Sequence, residues 1–349
     1  MRDRHLLRHI FVSSLRTSGS AAATTTNCRR KSFSNSSSTS GNEGFHLHPH
    51  HRVHLLFGAN TDVGKSVISA GLVCAAASSS KDGCRSVNYV KPLQCGGSDE
   101  SFVLNNNRHQ TGRMNVVRCE TLFSWKTPAS PHLVSRWENA PVSDEEVISK
   151  LSSLLQDIDN TTNNEDGNLE TEIITTIIES AGGVLSPSSS SPLNTTTNSD
   201  LWGWSTQADL YAPLGIPVVF VGDGKLGGIS VTLSSLEALW SRGYRIDAVV
   251  FIEGICSDGD DESGSIQFGK ENAEALREYM SMRHQNACRR SSKSKVFDGL
   301  VIDDDAIVSL PPLPPMPIPL DDWYNSNEES FFHLHKLLDR KWKIEERVG

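Results

Sequence analysis

Residues 58–66, which read GANTDVGKS, decide the fold. This loop lies between an apolar run at 53–57 and a segment at 66–77 whose apolar residues recur at helical spacing. A loop between a strand and a helix turns backbone N–H groups and the positive end of the helix toward a phosphate. The first glycine is one residue further from Gly-Lys-Ser than in the common G-x4-G-K-[ST] pattern, but the Gly-Lys-Ser core is retained. We therefore predict a nucleotide phosphate site, in which Lys65 reaches the β/γ-phosphates and Ser66 binds Mg²⁺.

The rest of the chain alternates short apolar, β-branched runs with segments of helical spacing. Continuous apolar runs of this length are typical of strands buried on both faces. Their alternation with helices predicts an α/β fold of the P-loop NTPase type, with three layers and a mostly parallel sheet covered by helices on both faces. The predicted strands are 53–57, 86–90, 171–178, 217–221 and 248–252, and the predicted helices include 66–77, 143–155 and 231–240.

Several stretches do not follow this alternation and divide the chain. Residues 1–45 are rich in Arg and Ser and poor in acidic residues, which is typical of mitochondrial or plastid transit peptides. We predict a mitochondrial leader, with the plastid as the alternative, then a His-rich linker at 46–52, a phosphate-loop domain at 53–320 and a helical tail at 321–349. Low-complexity insertions are predicted at 157–170, 186–207, 257–268 and 283–305; the second is interpreted as surface decoration, with a lid as the alternative.

The charge distribution limits the classes of partner. The formal net charge is −9 at pH 7, yet residues 1–52 carry eight basic residues against two acidic ones. The remaining chain holds 25 basic and 40 acidic residues, and such an acidic body is a poor nucleic-acid binder. The sequence has no continuous apolar run of the ~18 residues that a membrane-spanning helix needs. Seven cysteines without a C-x-x-C pair argue against a disulfide framework or a zinc site.

Three polar residues follow predicted strands and are candidates for chemistry. Lys91 directly follows the strand at 86–90, Asp99 lies eight residues on in a Gly/Ser loop, and Glu179 ends the strand at 171–178. Transfer of a γ-phosphoryl group needs carboxylates for the metal and a cation near the acceptor. Taken alone, Lys91 could be a surface cation, Asp99 a turn former and Glu179 a solvated strand end. Because parallel sheets bind ligands at the carboxyl ends of their strands, we predict that the three meet there.

Five motifs in order carry a family resemblance: GANTDVGKS at 58–66, YVKPLQCG at 89–96, TPASPHL at 127–133, ESAGGVLSP at 179–187 and VGDGKLGGIS at 221–230. With these motifs the chain resembles dethiobiotin synthetase over roughly residues 53–255. DGKLGGIS and the spacing of PASPHL look most like the eukaryotic versions, which are often fused to diaminopelargonic acid aminotransferase. We expect no aminotransferase part in this chain.

The resemblance implies an activity: 7,8-diaminononanoate, CO₂ and Mg·ATP give dethiobiotin, ADP and phosphate, through a carbamate and a carbamic-phosphoric anhydride. It implies Mg²⁺, ATP as co-substrate, small-molecule partners and a homodimer, with neither nucleic acid nor membrane as partner. The catalytic residues would be Lys91, Lys65 and Thr61, and the metal ligands Ser66, Asp99 and Glu179. The nucleotide would contact Asp62, Val63, Gly64, Lys65, Ser66, Val67, Asp99, Glu179, Ser180, Ala181 and Gly182; the substrate would contact Lys91, Cys95, Gly227, Gly228 and Ile229.

Three features depart from the family pattern, one of them the lack near residues 251–254 of the Asn that bacterial members direct toward the adenine, and two other functions remain open. Cys95 stands where the family usually has Ser or Thr, and a thiol is a weak hydrogen-bond donor. Ser180 replaces a glycine, which is tolerable if its φ is negative. One alternative is a ParA-like P-loop ATPase, although Ala59 and Asn60 provide no second lysine early in the loop. The other is a catalytically weak scaffold domain for a separate aminotransferase.

Overall fold

The structure is a computed structural model that describes residues 47–79, 85–107, 116–161, 173–192, 202–253, 268–290, 302–315 and 318–346. The chain divides into two compact units, Met1–Gly44 and Phe45–Gly349, and every described residue belongs to the second. The predicted leader lies outside the described residues. So do the parts of the predicted insertions at 162–170, 193–201, 257–267 and 291–301.

Within the described residues, one parallel sheet of seven strands forms the centre of the fold. Its strands in chain order are β1 (His51–Gly58), β2 (Arg85–Cys95), β3 (Val116–Trp125), β4 (Ile173–Glu179), β7 (Val218–Val221), β8 (Ile246–Ile252) and β9 (Ile307–Leu310), and they lie in the order β3-β2-β4-β1-β7-β8-β9. Two short strands, β5 (Ser191–Pro192) and β6 (Trp202–Gly203), pair antiparallel apart from this sheet. The parallel sheet confirms the predicted fold class.

Helices connect the strands of the parallel sheet, as the predicted alternation requires. Leu55, Leu56 and Phe57 of β1 have no exposed surface, so the centre of the sheet is buried on both faces. None of the described helices is both long and apolar enough to cross a membrane. The helices are α1 (Lys65–Ser78), α2 (Asp99–Asn106), α3 (Pro131–Trp137), α4 (Asp144–Thr161), α5 (Gln207–Tyr211), α6 (Gly228–Trp240), α7 (Gly269–Arg290), α8 (Asp321–Ser326) and α9 (Glu328–Glu346).

The order of the central strands determines where a site can form. β4 lies between β1 and β2, and it pairs in parallel with both. The phosphate loop after β1, Glu179 at the end of β4 and Lys91 in β2 therefore lie next to one another at one edge of the sheet. This edge is the carboxyl edge, at which open α/β sheets bind their ligands.

Helix α4 begins as its sequence predicts. The backbone N–H of Ser143 donates to Glu146 Oε2 at 2.7 Å, and the N–H of Glu146 donates to Ser143 Oγ at 3.2 Å. This reciprocal pair is a capping box, which satisfies N–H groups that a helix start leaves without partners.

Strands β2 and β1 both extend beyond their predicted bounds. Strand β2 does not stop before Pro92: it continues to Cys95, so Lys91 lies inside the strand. Beyond Val90 this strand pairs only with β3, so the missing N–H of proline is tolerated there. β1 begins at His51, so the last two residues of the predicted linker are buried in the sheet.

The predicted C-terminal tail is part of the core. Phe331, Leu334, Leu337 and Leu338 of α9 are buried, and a Cβ added at Gly71 of α1 would come within 2.2 Å of the Phe331 ring. Before α9, the Tyr324 hydroxyl of α8 donates to the carbonyl of Val67 in α1 at 3.0 Å. The two last helices therefore cover the outer face of the helix that follows the phosphate loop.

Candidate active site

The phosphate loop connects β1 to α1 by a turn that requires glycine. Gly64 precedes α1 with a φ of +95°, a left-handed conformation that glycine adopts without strain. At the other end, a Cβ on Gly58 would come within 2.8 Å of Val63 Cγ2. The first turn of α1 contains no acidic residue, so its positive end is not neutralised locally. The predicted phosphate loop is thus present between its strand and its helix.

Lys65 is buried beneath this loop. Its ammonium group donates to the carbonyl of Asn60 at 3.2 Å. Burial and, to a smaller extent, repulsion by Lys91 lower the pKa of Lys65 to about 8. Both effects disfavour the charged form of Lys65. A negatively charged phosphate nearby would stabilise that form and raise its pKa.

Glu179 is the centre of a buried hydrogen-bond network. Its Oε1 atom accepts from Ser66 Oγ at 2.9 Å and from Lys91 Nζ at 2.8 Å. Its Oε2 atom accepts from Ser69 Oγ at 2.8 Å and from the Tyr89 hydroxyl at 3.0 Å. Burial alone would raise the pKa of Glu179, but the charge of Lys91 and the hydrogen bonds from Lys91 and Ser69 outweigh it and lower the pKa.

Lys91 joins the two predicted carboxylates. Its ammonium group lies 2.7 Å from Asp99 Oδ2 as well as 2.8 Å from Glu179 Oε1, and it donates to the carbonyl of Ser180 at 3.3 Å. Burial would lower the pKa of Lys91, but the two carboxylates outweigh it and raise the pKa. Asp99 reaches this point from the first residue of α2, not from an irregular loop as predicted. Three charged groups from three elements therefore meet at one place.

These residues fit a magnesium ion by their chemistry. Asp99 and Glu179 each direct a carboxylate oxygen at the same ammonium group, and the Ser66 hydroxyl contacts one of those oxygens. Mg²⁺ prefers oxygen ligands, commonly one or two carboxylates together with phosphate oxygens. Two carboxylates and a hydroxyl group beside the phosphate loop are oxygen donors of the kind that such an ion binds.

The segment after Glu179 forms the second wall of the site. The hydroxyl of Ser180 donates to the carbonyl of Leu56 at 3.1 Å, and its φ is not positive, as its replacement of glycine requires. Gly182 has a φ of +70°. A Cβ on Gly183 would come within 3.1 Å of the carbonyl of Ala59. Buried Ala181 and its neighbours therefore lie directly against the phosphate loop.

The other predicted nucleotide contacts surround this point less closely. Thr61 and Asp62 are exposed at the tip of the loop, where Thr61 N–H donates to Asn60 Oδ1 at 2.8 Å and Asp62 has a φ of +59°. Val63 is half-buried, and Val67 is buried in the first turn of α1. These side chains border the loop and do not join the Glu179 network.

Two groups of predicted substrate contacts have different surroundings. Cys95 is half-buried at the end of β2, and burial raises the pKa of its thiol to about 12, so the thiol is un-ionised at neutral pH. The turn at 227–229 begins α6; Gly227 is exposed with a φ of +83°, and Gly228 N–H donates to the carbonyl of Lys225 at 2.8 Å. The side chain of Leu226 before it is 79% exposed. Gly228 is buried and Ile229 is half-buried, so only the start of this turn faces solvent, and the turn does not join the Glu179 network.

The prediction that 186–207 is surface decoration is wrong for its described ends. Ser188, Ser189 and Ser190 are buried, and Ser190 Oγ lies 2.9 Å from Ser135 Oγ on α3. The fully buried Gln207 accepts at 3.2 Å from the N–H of Ala181 in the second wall of the site. These described ends are held by tertiary hydrogen bonds that a serine-rich composition does not reveal.

Sequence reasoning missed Ser69 and Tyr89, and the local signal for them is weak: each shares a face with a predicted site residue. Ser69 follows Ser66 by three residues, about one helical turn, and Tyr89 precedes Lys91 by two residues on the same face of β2. Both therefore point toward the carboxylate that their predicted neighbours contact.

The family model described as an AAA domain matches residues 52–285, more than half of the chain. The ATP-dependent dethiobiotin synthetase BioD of Rhodopseudomonas palustris (strain BisB18) is 30% identical over 208 residues, covering 58% of this chain and 77% of the bacterial protein. The chain belongs to the dethiobiotin synthetase family. The five motifs and the clustered Lys91, Asp99 and Glu179 all lie within the matched residues 52–285.

A longer relative in the dethiobiotin synthetase family comes from Oryza sativa subsp. japonica. It is the mitochondrial bifunctional dethiobiotin synthetase/7,8-diamino-pelargonic acid aminotransferase, 32% identical over 252 residues. The match covers 58% of this chain and 28% of the rice protein, so the chain spans little more than a quarter of that relative. Among solved structures, pNOB8 ParA aligns at 12% identity over 84% of this chain and 99% of its own, with a TM-score of 0.43 that is too low to support a functional argument.

Proposed function

We propose that this protein carboxylates 7,8-diaminononanoate with CO₂ and closes the product to dethiobiotin, using ATP and releasing ADP and phosphate. The observation that carries this proposal is the buried Lys91, which contacts Glu179 and Asp99 beside the phosphate loop. Phosphoryl transfer to a negatively charged acceptor needs such a cation between the acceptor and the triphosphate.

The proposed reaction has three steps. A neutral amine of the diamine adds to CO₂, loses a proton and becomes a carbamate. A carbamate oxygen attacks the γ-phosphorus of ATP, ADP leaves, and a carbamic-phosphoric anhydride forms. The second amine then attacks the carbonyl carbon, loses a proton and expels phosphate, which leaves the cyclic urea. Because the substrate supplies every bond that forms, the protein contributes positioning and charge stabilisation.

Each residue of the site has a proposed part in these steps. Lys91 stabilises the carbamate and the transferring phosphoryl group, while Lys65 and Thr61 hold the γ-phosphate. Ser66, Asp99 and Glu179 hold Mg²⁺, which when bound neutralises phosphate charge. The nucleotide lies along residues 62–67 and 180–182, and Cys95 borders the diamine.

We also propose a homodimer in which the turn at 227–229 reaches the site of the second subunit. The resemblance to dethiobiotin synthetase implies that backbone N–H groups of this turn bind the substrate carboxylate. The exposure of Leu226 and Gly227 supports a contact outside this subunit. A mitochondrial location is proposed from the Arg- and Ser-rich leader and from the similarity to the mitochondrial rice relative.

One incubation tests the proposed activity. The full chain is incubated with diaminononanoate, isotopically labelled bicarbonate and Mg·ATP, and the cyclic urea is sought by mass spectrometry. Labelled dethiobiotin, formed in equal amount to ADP, is the expected result. Phosphate release that does not depend on the diamine would instead favour a ParA-like ATPase. If neither dethiobiotin nor phosphate formed, the result would favour a scaffold.

A further inference from the structure

The two oxygens of the Glu179 carboxylate have different kinds of neighbour. Oε1 contacts Ser66 and Lys91, which the proposed function assigns to the metal and the transferring phosphoryl group. Oε2 contacts Ser69 and Tyr89, which have no part in that proposal. We propose that Ser69 and Tyr89 are positioning residues, which hold Oε2 so that Oε1 is the oxygen presented to the metal.

The depth of the two donors supports this division. Ser69 and Tyr89 have no exposed surface, whereas Ser66 is only partly buried. Their hydroxyl groups donate to Oε2 at 2.8 and 3.0 Å, which fills the inner side of the carboxylate with neutral donors. A Mg²⁺ ion that enters from the solvent side together with the nucleotide phosphates would therefore contact Oε1.

The donors also belong to the two elements that flank Glu179. Ser69 lies in α1, one turn after Ser66, and Tyr89 lies in β2, two residues before Lys91. A shift of α1 against β4 would change the hydrogen bond from Ser69, and a shift of β2 against β4 would change the one from Tyr89. The carboxylate is thus fixed by the same helix and strand that carry the phosphate loop and the catalytic cation.

Fixing the carboxylate has a chemical purpose. Mg²⁺ demands nearly ideal octahedral geometry, so a carboxylate that rotates or offers both oxygens at once is a poorer ligand. Groups that orient a metal ligand from behind change metal affinity about 10- to 100-fold when they are removed. We therefore expect the loss of either hydroxyl group to weaken metal binding while leaving the ligand itself in place.

The test uses Mn²⁺ as a spectroscopic probe of the metal site and does not require the diamine. The full chain is saturated with the β,γ-imido analogue of ATP, and free Mn²⁺ is measured by electron paramagnetic resonance during titration. Tyr89→Phe and Ser69→Ala should each weaken Mn²⁺ binding about 10- to 100-fold. This inference rests on the proposed use of Glu179 as a metal ligand, so Glu179→Gln is titrated in parallel and should weaken binding as well.

Tyr244→Phe is the matched control. Tyr244 is also buried, and its hydroxyl donates to the carbonyl of Ala208 at 2.8 Å, so this variant also loses one buried hydrogen bond. It should bind Mn²⁺ within about twofold of wild type, because only a bond to a metal ligand carries the effect. Thermal unfolding of each variant separates loss of folding from loss of metal.

The outcomes separate this inference from the proposed function. If Glu179→Gln weakens Mn²⁺ binding but Tyr89→Phe and Ser69→Ala match wild type, the positioning role is wrong and the proposed reaction is unaffected. If Glu179→Gln binds Mn²⁺ normally, the positioning role of Ser69 and Tyr89 is also wrong. The proposed activity is then still tested independently, by the assay for the cyclic urea. In the Glu179→Gln background, Tyr89→Phe should add less than a twofold effect.

Discussion

Lys91 illustrates how much one side chain determines at this site. It is buried, and its ammonium group is held between Glu179 and Asp99. We predict that Lys91→Ala retains nucleotide binding within a few fold but lowers cyclic-urea formation about 100- to 1,000-fold, because a donor aimed at developing charge is lost. Binding of a fluorescent nucleotide and the urea assay measure the two effects. Lys270→Ala, which removes an exposed lysine, is the control; unchanged turnover in Lys91→Ala would remove Lys91 from the mechanism.

His51 gives a prediction about pH at the opposite end of the same sheet. Its Nε2 atom lies 2.8 Å from Thr176 Oγ1, and its Nδ1 atom lies 3.5 Å from Asp159 Oδ1. Burial lowers the pKa of His51 to about 4, although Asp159 opposes the shift. Between pH 6.5 and 4 the unfolded chain therefore binds a proton that the folded protein does not. The free energy of unfolding consequently decreases as the pH is lowered through this range.

The size of this effect is measurable by urea unfolding. At pH 5 the contribution of His51 amounts to about 2 kcal/mol relative to pH 7.5. His51→Gln should lose less stability than wild type between these two pH values, by about that amount. Equal losses in the two proteins would assign the acid sensitivity to other groups.

The sequence predicts the charged residues of the site better than the groups that hold them. Lys65, Lys91 and Glu179 follow strands or a glycine-rich loop, where position alone points to ligand binding. Ser69 and Tyr89 resemble ordinary core residues, since Ser occurs in many helices and Tyr in many strands. Their function depends on a carboxylate about 90 to 110 residues further along the chain, which a local pattern does not contain.

Among the elements, the central strands are predictable and an edge strand is not. β1 and β4 are buried along nearly their whole length, and each contains a short apolar run, because both faces are covered. β3 lies at the edge of the sheet and contains the exposed Arg118 and Glu120, so its apolar run is interrupted. The pattern that identifies a buried strand is therefore absent from the edge, although nine sheet positions of β3 pair with β2.

Helix α9 carries a prediction about stability. Phe331 is 3% exposed and lies against Gly71 of α1. Phe331→Ala should lower the free energy of unfolding by about 3–5 kcal/mol, because it removes a large buried side chain and leaves a cavity. Chemical denaturation measures the change, and exposed Lys336→Ala on the same helix should change it by less than about 0.5 kcal/mol. Similar midpoints for the two variants would mean that α9 is not part of the cooperative core.

The whole molecule is predicted to function as a homodimer. Leu226, next to the turn at 227–229, is 79% exposed, more than any other large apolar side chain among the described residues. We expect wild type to sediment as a dimer and Leu226→Glu to sediment as a monomer with a higher KM for the diamine, because a buried charge disfavours the interface. Met282→Glu, which alters another exposed apolar residue on α7, should remain dimeric. A monomeric wild type, or a dimeric Leu226→Glu, would contradict the proposed interface.

The closure of α9 over α1 has a consequence for biosynthesis. Phe331 leaves the ribosome 260 residues after Gly71, which at about 5–20 residues per second is a delay of roughly ten to fifty seconds. Throughout that delay the apolar outer face of α1 is not packed against α9. We expect nascent chains of this protein to be chaperone clients until the final helix emerges, and ribosome pausing between the two helices to increase their aggregation.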